Sequence, residues 1–321
     1  MRRKIKKIKF LLYKLLINVV CKIITFNSNK RVAIVSCNKW KNKVLEDVKL
    51  KYYLSKVGIK TDIISFEEHN NIEKYEAVII RSVWGFSRDS FQTWLDNVHK
   101  KNIKIFNNIE LIKSNYSKKN QIELLSKYNI ECIPTDYINN DVKLKQEICA
   151  KVEKYGNIVV KPHISESGKG AFVIPFSSKI KNSVSIEEFL NQKTDTDLFL
   201  VQPFYEEITD GEISVIVIDK KVSHIIKRFP GVFDTEKKTV EISLDIVDKK
   251  IIDIANKIAN IKEYSDHLYI RIDFIKTEDR YLVLEIELVD PMLFFNAIED
   301  KKKRKNDYYN FSNAIKERLS I

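Results

Sequence analysis

The chain has 321 residues, 44% of them hydrophobic and 31% charged, a globular composition with room for two or three domains. Its formal charge of +12 suggests nucleic-acid binding only until it is located: residues 1–30 hold nine Lys or Arg and no acid, so +3 is left for everything else. Cys21, Cys37, Cys132 and Cys149 lack the paired spacing of a zinc site and are too few for a disulfide scaffold, which fits a reducing cytoplasm, and the histidines are scattered.

In the first segment, Ile5, Ile8, Leu12, Leu15, Val19 and Ile23 recur at three- and four-residue steps, which puts them on one helix face. Lys14 and Lys22 interrupt the apolar run, and Leu15 to Cys21 falls well short of the roughly 20 residues that a spanning helix needs. No small-residue cleavage site follows. The pattern predicts a basic amphipathic helix over residues 1–29 that lies on an anionic membrane surface through residues 5–25. A helix docked on a partner or on the chain itself, and an export or anchor signal, are the other readings.

From Arg31 short strands and helices alternate: RVAIVSC, a helix from Val44 to Val57, KTDIISF, AVIIRSVWGF, a helix from Ser90 to Lys101, and NIKIFN. That order is the signature of a parallel α/β sheet. The first strand–helix turn, SCNKWKNK, has no GxGxxG, so a dinucleotide fold is unsupported. Arg81, Ser82 and Trp84 follow a very apolar strand at its carboxyl end, where open α/β sheets bind ligands. Arg81 is therefore a candidate for holding a substrate carboxylate; an ordinary loop arginine is the alternative.

A lysine-bearing helix over Ser117 to Tyr128 comes next, then a helix from Asp141 to Tyr155. In NIVVKPHISESGKGAFVIPF, Lys161 closes an apolar strand and a loop with Ser165, Ser167, Gly168 and Gly170 leads into another. Such a hairpin can fold over a polyphosphate, with backbone N–H groups and Lys161 binding the anion; a mobile surface hairpin fits equally well. Pro203 ends the following strand beside Gln202, leaving backbone groups able to read an adenine edge. Lys227 and Arg228 end a later strand and can reach phosphate, or simply be solvated.

Leu268 to Phe295 reads as two strands joined by the polar turn Lys276 to Arg280. Tyr269, Arg271 and Asp273 alternate with Ile270, Ile272 and Phe274, and Glu285 and Glu287 flank Ile286. Paired around the turn, Asp273, Glu285 and Glu287 project from one face. Carboxylates in apolar strands repel strongly unless a cation sits among them, and oxygen-only donors point to Mg²⁺; an acidic face open to water is the alternative.

The succession VVKPHISESGKGAF, LVQPFYEEITDGEIS, VSHIIKR, YIRIDFI and LEIELVDP, preceded by a lysine helix, resembles the ATP-grasp superfamily. The resemblance is to the branch with prokaryotic glutathione synthetase and the cycloserine-forming ligase, and it covers about residues 31–297. It implies an α/β, Rossmann-like pre-ATP-grasp domain followed by an α+β ATP-grasp domain of two subdomains. The corresponding division is 30–112, then 113–299 with nucleotide held between 113–205 and 206–299. Residues 300–321 form a basic, solvated C-terminal tail or helix.

The resemblance also implies the chemistry. A carboxylic acid substrate attacks the γ-phosphate of ATP, ADP leaves, and an amine displaces phosphate from the acyl phosphate, with two Mg²⁺ ions (or Mn²⁺) neutralising charge. Matched by motif, Lys119 (or, counting from the other side, Lys118) and Lys161 are nucleotide lysines, and Ser167, Gly168 and Gly170 belong to the phosphate-covering loop. Gln202, Pro203 and Phe204 match the adenine hinge and Glu212 the ribose acid. Asp273, Glu285 and Glu287 match the metal ligands, and Arg228 and Arg271 the residues that stabilise phosphate or acyl phosphate. Three departures stand out: Glu287 replaces the Asn of glutathione synthetases, FPGVFDTEKKTVEIS has Asp234 near an expected arginine, with Lys237 or Lys238 as substitutes and no Gly pair, and the basic N-terminal helix is foreign to the soluble relatives. A nucleotide-binding protein without ligation and a kinase-like enzyme are therefore the alternatives to an ADP-forming ligase. A cytoplasmic enzyme on the inner membrane face, with no nucleic-acid partner and in a homo-oligomer, completes the expectation.

Overall fold

The computed structural model describes residues 2–68, 71–85, 89–165, 168–177, 180, 183–229 and 239–320, with side chains from residue 8. The segment around Asp234, Lys237 and Lys238, and Ser167 of the glycine loop, lie outside the described residues.

Helix α1 (Arg2–Ile24) precedes a four-stranded parallel sheet. Its strands are β1 (Arg31–Ser36), β2 (Lys60–Ser65), β3 (Ala77–Ser82) and β4 (Lys104–Phe106), in the order β2-β1-β3-β4. The near-continuous apolar runs of β1 and β3 are what a strand covered on both faces requires. Helices α2 (Leu45–Lys56) and α3 (Asp89–Lys100) connect them, and α4 (Ile109–Asn115) and α5 (Lys118–Lys127) lead out of the sheet.

A second, antiparallel sheet has the order β5-β8-β6-β7. It is built from β5 (Asp136–Asn139), β6 (Ile158–Pro162), β7 (Phe172–Ile174) and β8 (Leu198–Pro203). Helices α6 (Leu144–Tyr155) and α7 (Ile186–Gln192) cover it through Ile148, Val152 and Phe189. Ser185 and Glu188 start α7 with a capping box, each side chain taking the other's backbone N–H.

The third sheet, β11-β10-β9-β12-β13, carries the acidic hairpin. It comprises β9 (Glu212–Ile218), β10 (Lys221–Arg228), β11 (Thr239–Ile242), β12 (Tyr269–Lys276) and β13 (Tyr281–Glu287). Alternation divides it. Ile213, Val215, Val217, Ile270, Ile272 and Phe274 pack with Ile251, Ala255 and Ile258 of α8 (Lys249–Ala259). On the other face Ile216, Ile218 and Tyr269 pack against the N-terminal sheet, while Ser214, Arg271 and Asp273 continue that face as a polar floor.

The joint between the N-terminal sheet and this floor is polar and buried. Arg81 donates to Glu46 at 2.7 Å and to the Pro291 carbonyl at 2.9 Å, and its side chain is 2% exposed. Glu46 also accepts the backbone N–H groups of Leu293 and Phe295, each at 3.0 Å. Ser82 donates to Asp47, and burial pushes the Asp47 carboxyl up to about 6 against the pull of Arg81. Arg81 and Ser82 are thus not a substrate contact: a fully buried strand position beside two helix carboxylates commits both side chains to holding domains together. Asn107 clamps the same joint, donating to the Tyr269 and Leu288 carbonyls and accepting from Leu268 N–H.

The C-terminal segment differs from the solvated tail that its lysines suggest. Helix α9 (Lys301–Arg318) is capped by Asp300 and inserts Tyr308, Phe311, Ala314 and Ile315 into the core shared by α1, α2, β9 and β12. Its lysines occupy the outer face of a structural helix. Phe311→Ala is expected to cost about 3–5 kcal/mol of stability. Urea denaturation measures it, and a loss near that of a surface substitution would return α9 to the solvent.

Candidate active site

The floor is laid out by register. Asp273 pairs with Glu285 across β12 and β13, Arg271 with Glu287, and Ser214 of β9 lies opposite Asp273. Arg228 at the end of β10 pairs with Glu212. Gly211, at φ +107°, makes that approach possible, because a Cβ there would sit 2.8 Å from the Arg228 carbonyl oxygen. The outer edge of β13 is buried and held here by side chains: Asn115 bonds the Ile286 carbonyl and the Leu288 N–H, and Gln121 accepts from Ile286 N–H. These two residues carry no family motif, and only their position at the α4–α5 turn reveals them.

Two arginines converge on Asp273. Arg228 reaches it at 2.8 Å while also donating to Glu212 at 2.6 Å and to Ser214 at 2.7 Å. Arg271 grips it with Nε and Nη2, and Ser214 adds a hydrogen bond of 2.6 Å. Burial opposes ionisation of Asp273, but Arg228 and Arg271 outweigh it and hold the carboxyl at about 2. Phe294 lies 5.7 and 5.9 Å from the two guanidinium carbons, a flat apolar support beneath them.

The glycine hairpin, β6 and β7, is brought over this floor. Lys118 donates to the Ser165 carbonyl at 2.8 Å and pairs with Glu285 at 3.0 Å, while its own N–H bonds the His163 carbonyl at 2.8 Å. Lys119 instead lies outside, 3.9 Å from Glu123 and over the Tyr137 ring. Of the two candidates in the helix, Lys118 is the one that faces the cleft, because consecutive helical residues point about 100° apart and Lys119 is turned away. Burial pulls Lys161 down to about 8, with Glu285 and Glu212 as its compensating charges and Lys118 as a like charge. Gly168 and Gly170 adopt φ +68° and +72°. At Gly170 a Cβ would meet Thr194 at 2.9 Å and Pro162 at 3.0 Å.

Burial again works against Glu285, but Lys118 and Lys161 lower its pKa on balance. Glu287 is raised, first by burial and then by Glu285, and accepts the N–H of Val289 at 3.0 Å. Burial also raises Glu212 against the pull of Arg228. Among the described residues no three His, Cys, Asp or Glu side chains converge on one point. Asp273 faces the arginines, Glu285 faces Lys118, and Glu287 faces backbone, as carboxylates do when internal cations and N–H groups are nearest. Their chemistry nevertheless fits Mg²⁺: carboxylate oxygens alone, on directly paired strands, with no nitrogen or sulfur donor.

At the hinge, Gln202 is buried and donates to Thr135 at 2.8 Å, and Phe204 N–H is taken by the Asn157 carbonyl at 2.8 Å. The strand end therefore offers one backbone donor fewer than the sequence suggests. An open groove lined by Phe204, Tyr205, Glu206, Glu207, Thr209 and Asp210 adjoins it. Trp84 stands at the carboxyl end of β3, edge-on to Trp40 at 5.0 Å, on the N-terminal sheet's ligand side.

An N-terminal α/β sheet joined to two antiparallel sheets, with lysines and a glycine hairpin opposite a carboxylate floor, defines a nucleotide-grasping protein. Family models agree with the geometry. Residues 32–107 match "D-cycloserine synthetase DcsG, N-terminal domain", and residues 123–302 match "Prokaryotic glutathione synthetase, ATP-grasp domain". The chain belongs to the ATP-grasp family of the prokaryotic glutathione synthetase type. Among solved structures it resembles D-cycloserine synthetase DcsG at 19% identity and a TM-score of 0.76, over 90% of this chain and 99% of the other. D-alanine–D-alanine ligase from Bacillus anthracis follows at 14% and 0.63, over 91% and 97%. A Chryseobacterium gregarium RiPP-associated ATP-grasp ligase, in complex with ADP and a leader and core peptide, has 12% and 0.62, over 90% and 97%. A search of curated proteins gives no match.

Two outcomes follow for nucleotide binding. Lys118→Ala is expected to weaken ATP binding by about tenfold or more, the loss of a charge-assisted phosphate contact, while Lys119→Ala changes it less than about threefold. Isothermal titration distinguishes them, and the reverse order would restore Lys119. A lysine can hold phosphate only when protonated, and Lys161 loses its proton above about 8 in the free enzyme. ATP affinity is therefore expected to fall as pH rises from 7 to 9, approaching tenfold per unit beyond the pKa, and to stay flat in Lys161→Arg.

Proposed function

We infer that this chain is an ADP-forming ligase that phosphorylates a substrate carboxylate with ATP and passes the acyl group to an amine. The carrying observation is the meeting of Lys118 and Lys161 with Arg228 and Arg271 around carboxylates of two paired strands. Four cations of this chain then surround the path of one phosphoryl group, which is what transfer by positioning and charge stabilisation needs.

In this reading Lys118 and Lys161 bind phosphate oxygens, and the backbone around Gly168 and Gly170 closes over them. Gln202, Pro203 and Phe204 border the base, and Glu212 takes the ribose hydroxyls. Asp273, Glu285 and Glu287 would hold Mg²⁺, as two ions and with Mn²⁺ able to substitute, which supplies neutralisation of charge on the transferring phosphoryl group. Arg228 and Arg271 share Asp273 in the free enzyme, so each keeps guanidinium N–H groups that can turn to the acyl phosphate and stabilise it as it forms. Trp84 and Trp40 border the acceptor side. In this reading the substrates are a carboxylic acid and an amine, small or carried on a peptide, and the enzyme works in the cytoplasm, where its four cysteines stay reduced, at a membrane surface reached through α1.

Glu285→Gln combined with Glu287→Gln is expected to lower substrate-dependent ADP release by at least about a hundredfold, as removal of groups acting only on the transferring charge does. Far-ultraviolet circular dichroism should show the fold retained. ADP formation that survives this change would move the phosphoryl-transfer site elsewhere.

A further inference from the structure

Helix α1 has two apolar faces, and the enzyme body uses one. Ile17 and Cys21 are 6% and 5% exposed, packed with Phe10 and Tyr13 into the core that contains α2 and α9. Lys51 of α2 donates to Asn18 at 2.8 Å, and Thr25 closes the helix on the Cys21 carbonyl. The helix is therefore a fixed part of the N-terminal domain. Its opposite face presents Ile8, Leu11, Leu12, Leu15, Leu16, Val19 and Ile23, each between 50% and 71% exposed. At 100° per residue these seven positions cover an arc of about 140°, opposite the docked face. A continuous apolar stripe of this length is not an ordinary feature of a solvated surface.

We propose that the outer face of α1 is a membrane-docking surface that seats the enzyme, in the plane of the interface, on an anionic lipid bilayer. Charge decides the occupant. The segment 1–30 carries nine Lys or Arg and no acid; Lys9 is exposed at the edge of the stripe and Lys22 is exposed within its last turn, beside Ile23. A bilayer rich in anionic headgroups answers both the apolar stripe and its positive flanks. A second copy of the chain answers only the stripe, because pairing two such helices at 8–10 Å would oppose like charges with no carboxylate between them. Spanning is excluded for this helix by its inner face, which is held in the protein core, and no described helix is long and apolar enough to cross a membrane. The docking is independent of ligation, so each can fail without the other.

The test is flotation of the full chain with vesicles of phosphatidylcholine alone or with about one-third phosphatidylglycerol, at low and high salt. Binding is expected to anionic vesicles, to weaken with salt, and to fall at least tenfold in Leu12→Asn/Leu16→Asn, two exposed positions outside the site. The double variant should keep the wild-type melting temperature and ADP release in the absence of lipid. No binding of the full chain to anionic vesicles, or binding unchanged in the variant, overturns the proposal. Sedimentation velocity adds the alternative outcome: a dimer dissolved by the same substitutions would assign the stripe to self-association instead.

Discussion

The structure depends on how buried charge is balanced along one row of the five-stranded sheet. Asp273 is buried and directly paired with Glu285, and neither could remain ionised there alone. Arg228 and Arg271 answer the first and Lys118 and Lys161 the second. These cations come from β10, β12, α5 and β6, so the charge balance draws both ATP-grasp sheets together. The same groups are the ones an arriving triphosphate and its cation would recruit. In the proposed reading folding and function use one set of electrostatic partners, and ligand binding exchanges partners within it.

A second constraint fixes the N-terminal sheet to this floor. Glu46 and Arg81 form an almost fully buried pair whose remaining hydrogen bonds go to the backbone of Pro291, Leu293 and Phe295. That segment directly follows the metal-type carboxylates of β13. Breaking such a pair leaves an uncompensated charge and unpaired amides, so the joint is rigid in a way that an apolar contact is not. Helix α9 seals it from the other side with Tyr308 and Phe311, whose rings tilt against Phe295. The carboxylate floor is therefore supported both by the N-terminal sheet and by helix α9.

Much of the site was legible because its chemistry is local. The alternation in Arg271, Asp273, Glu285 and Glu287, the glycines after Lys161, and the strand stop at Pro203 are patterns within short segments. The two basic helices at the chain ends were less legible. Lysines mark what faces water, whereas Phe311 and Ile17 show their role only when a partner surface exists. Arg81 misled for the same reason: a strand-end arginine looks ligand-facing until Glu46 and Asp47, more than thirty positions away, are placed beside it.

The sequence by itself determined the α/β then α+β order, the hairpin that carries the carboxylates, and the pair of adjacent lysines, since periodicity and spacing are properties of neighbours. Only tertiary structure turned Lys118 rather than Lys119 toward Glu285, tied Arg81 to Glu46 as a buried clamp, and made α9 part of the core. It also gave α1 a second apolar face, the one through which Ile17 and Cys21 dock, opposite the face that Ile8, Leu12 and Leu15 mark in the sequence. Each of these outcomes rests on long-range packing, where burial assigns the meaning of a residue that its sequence neighbours leave open.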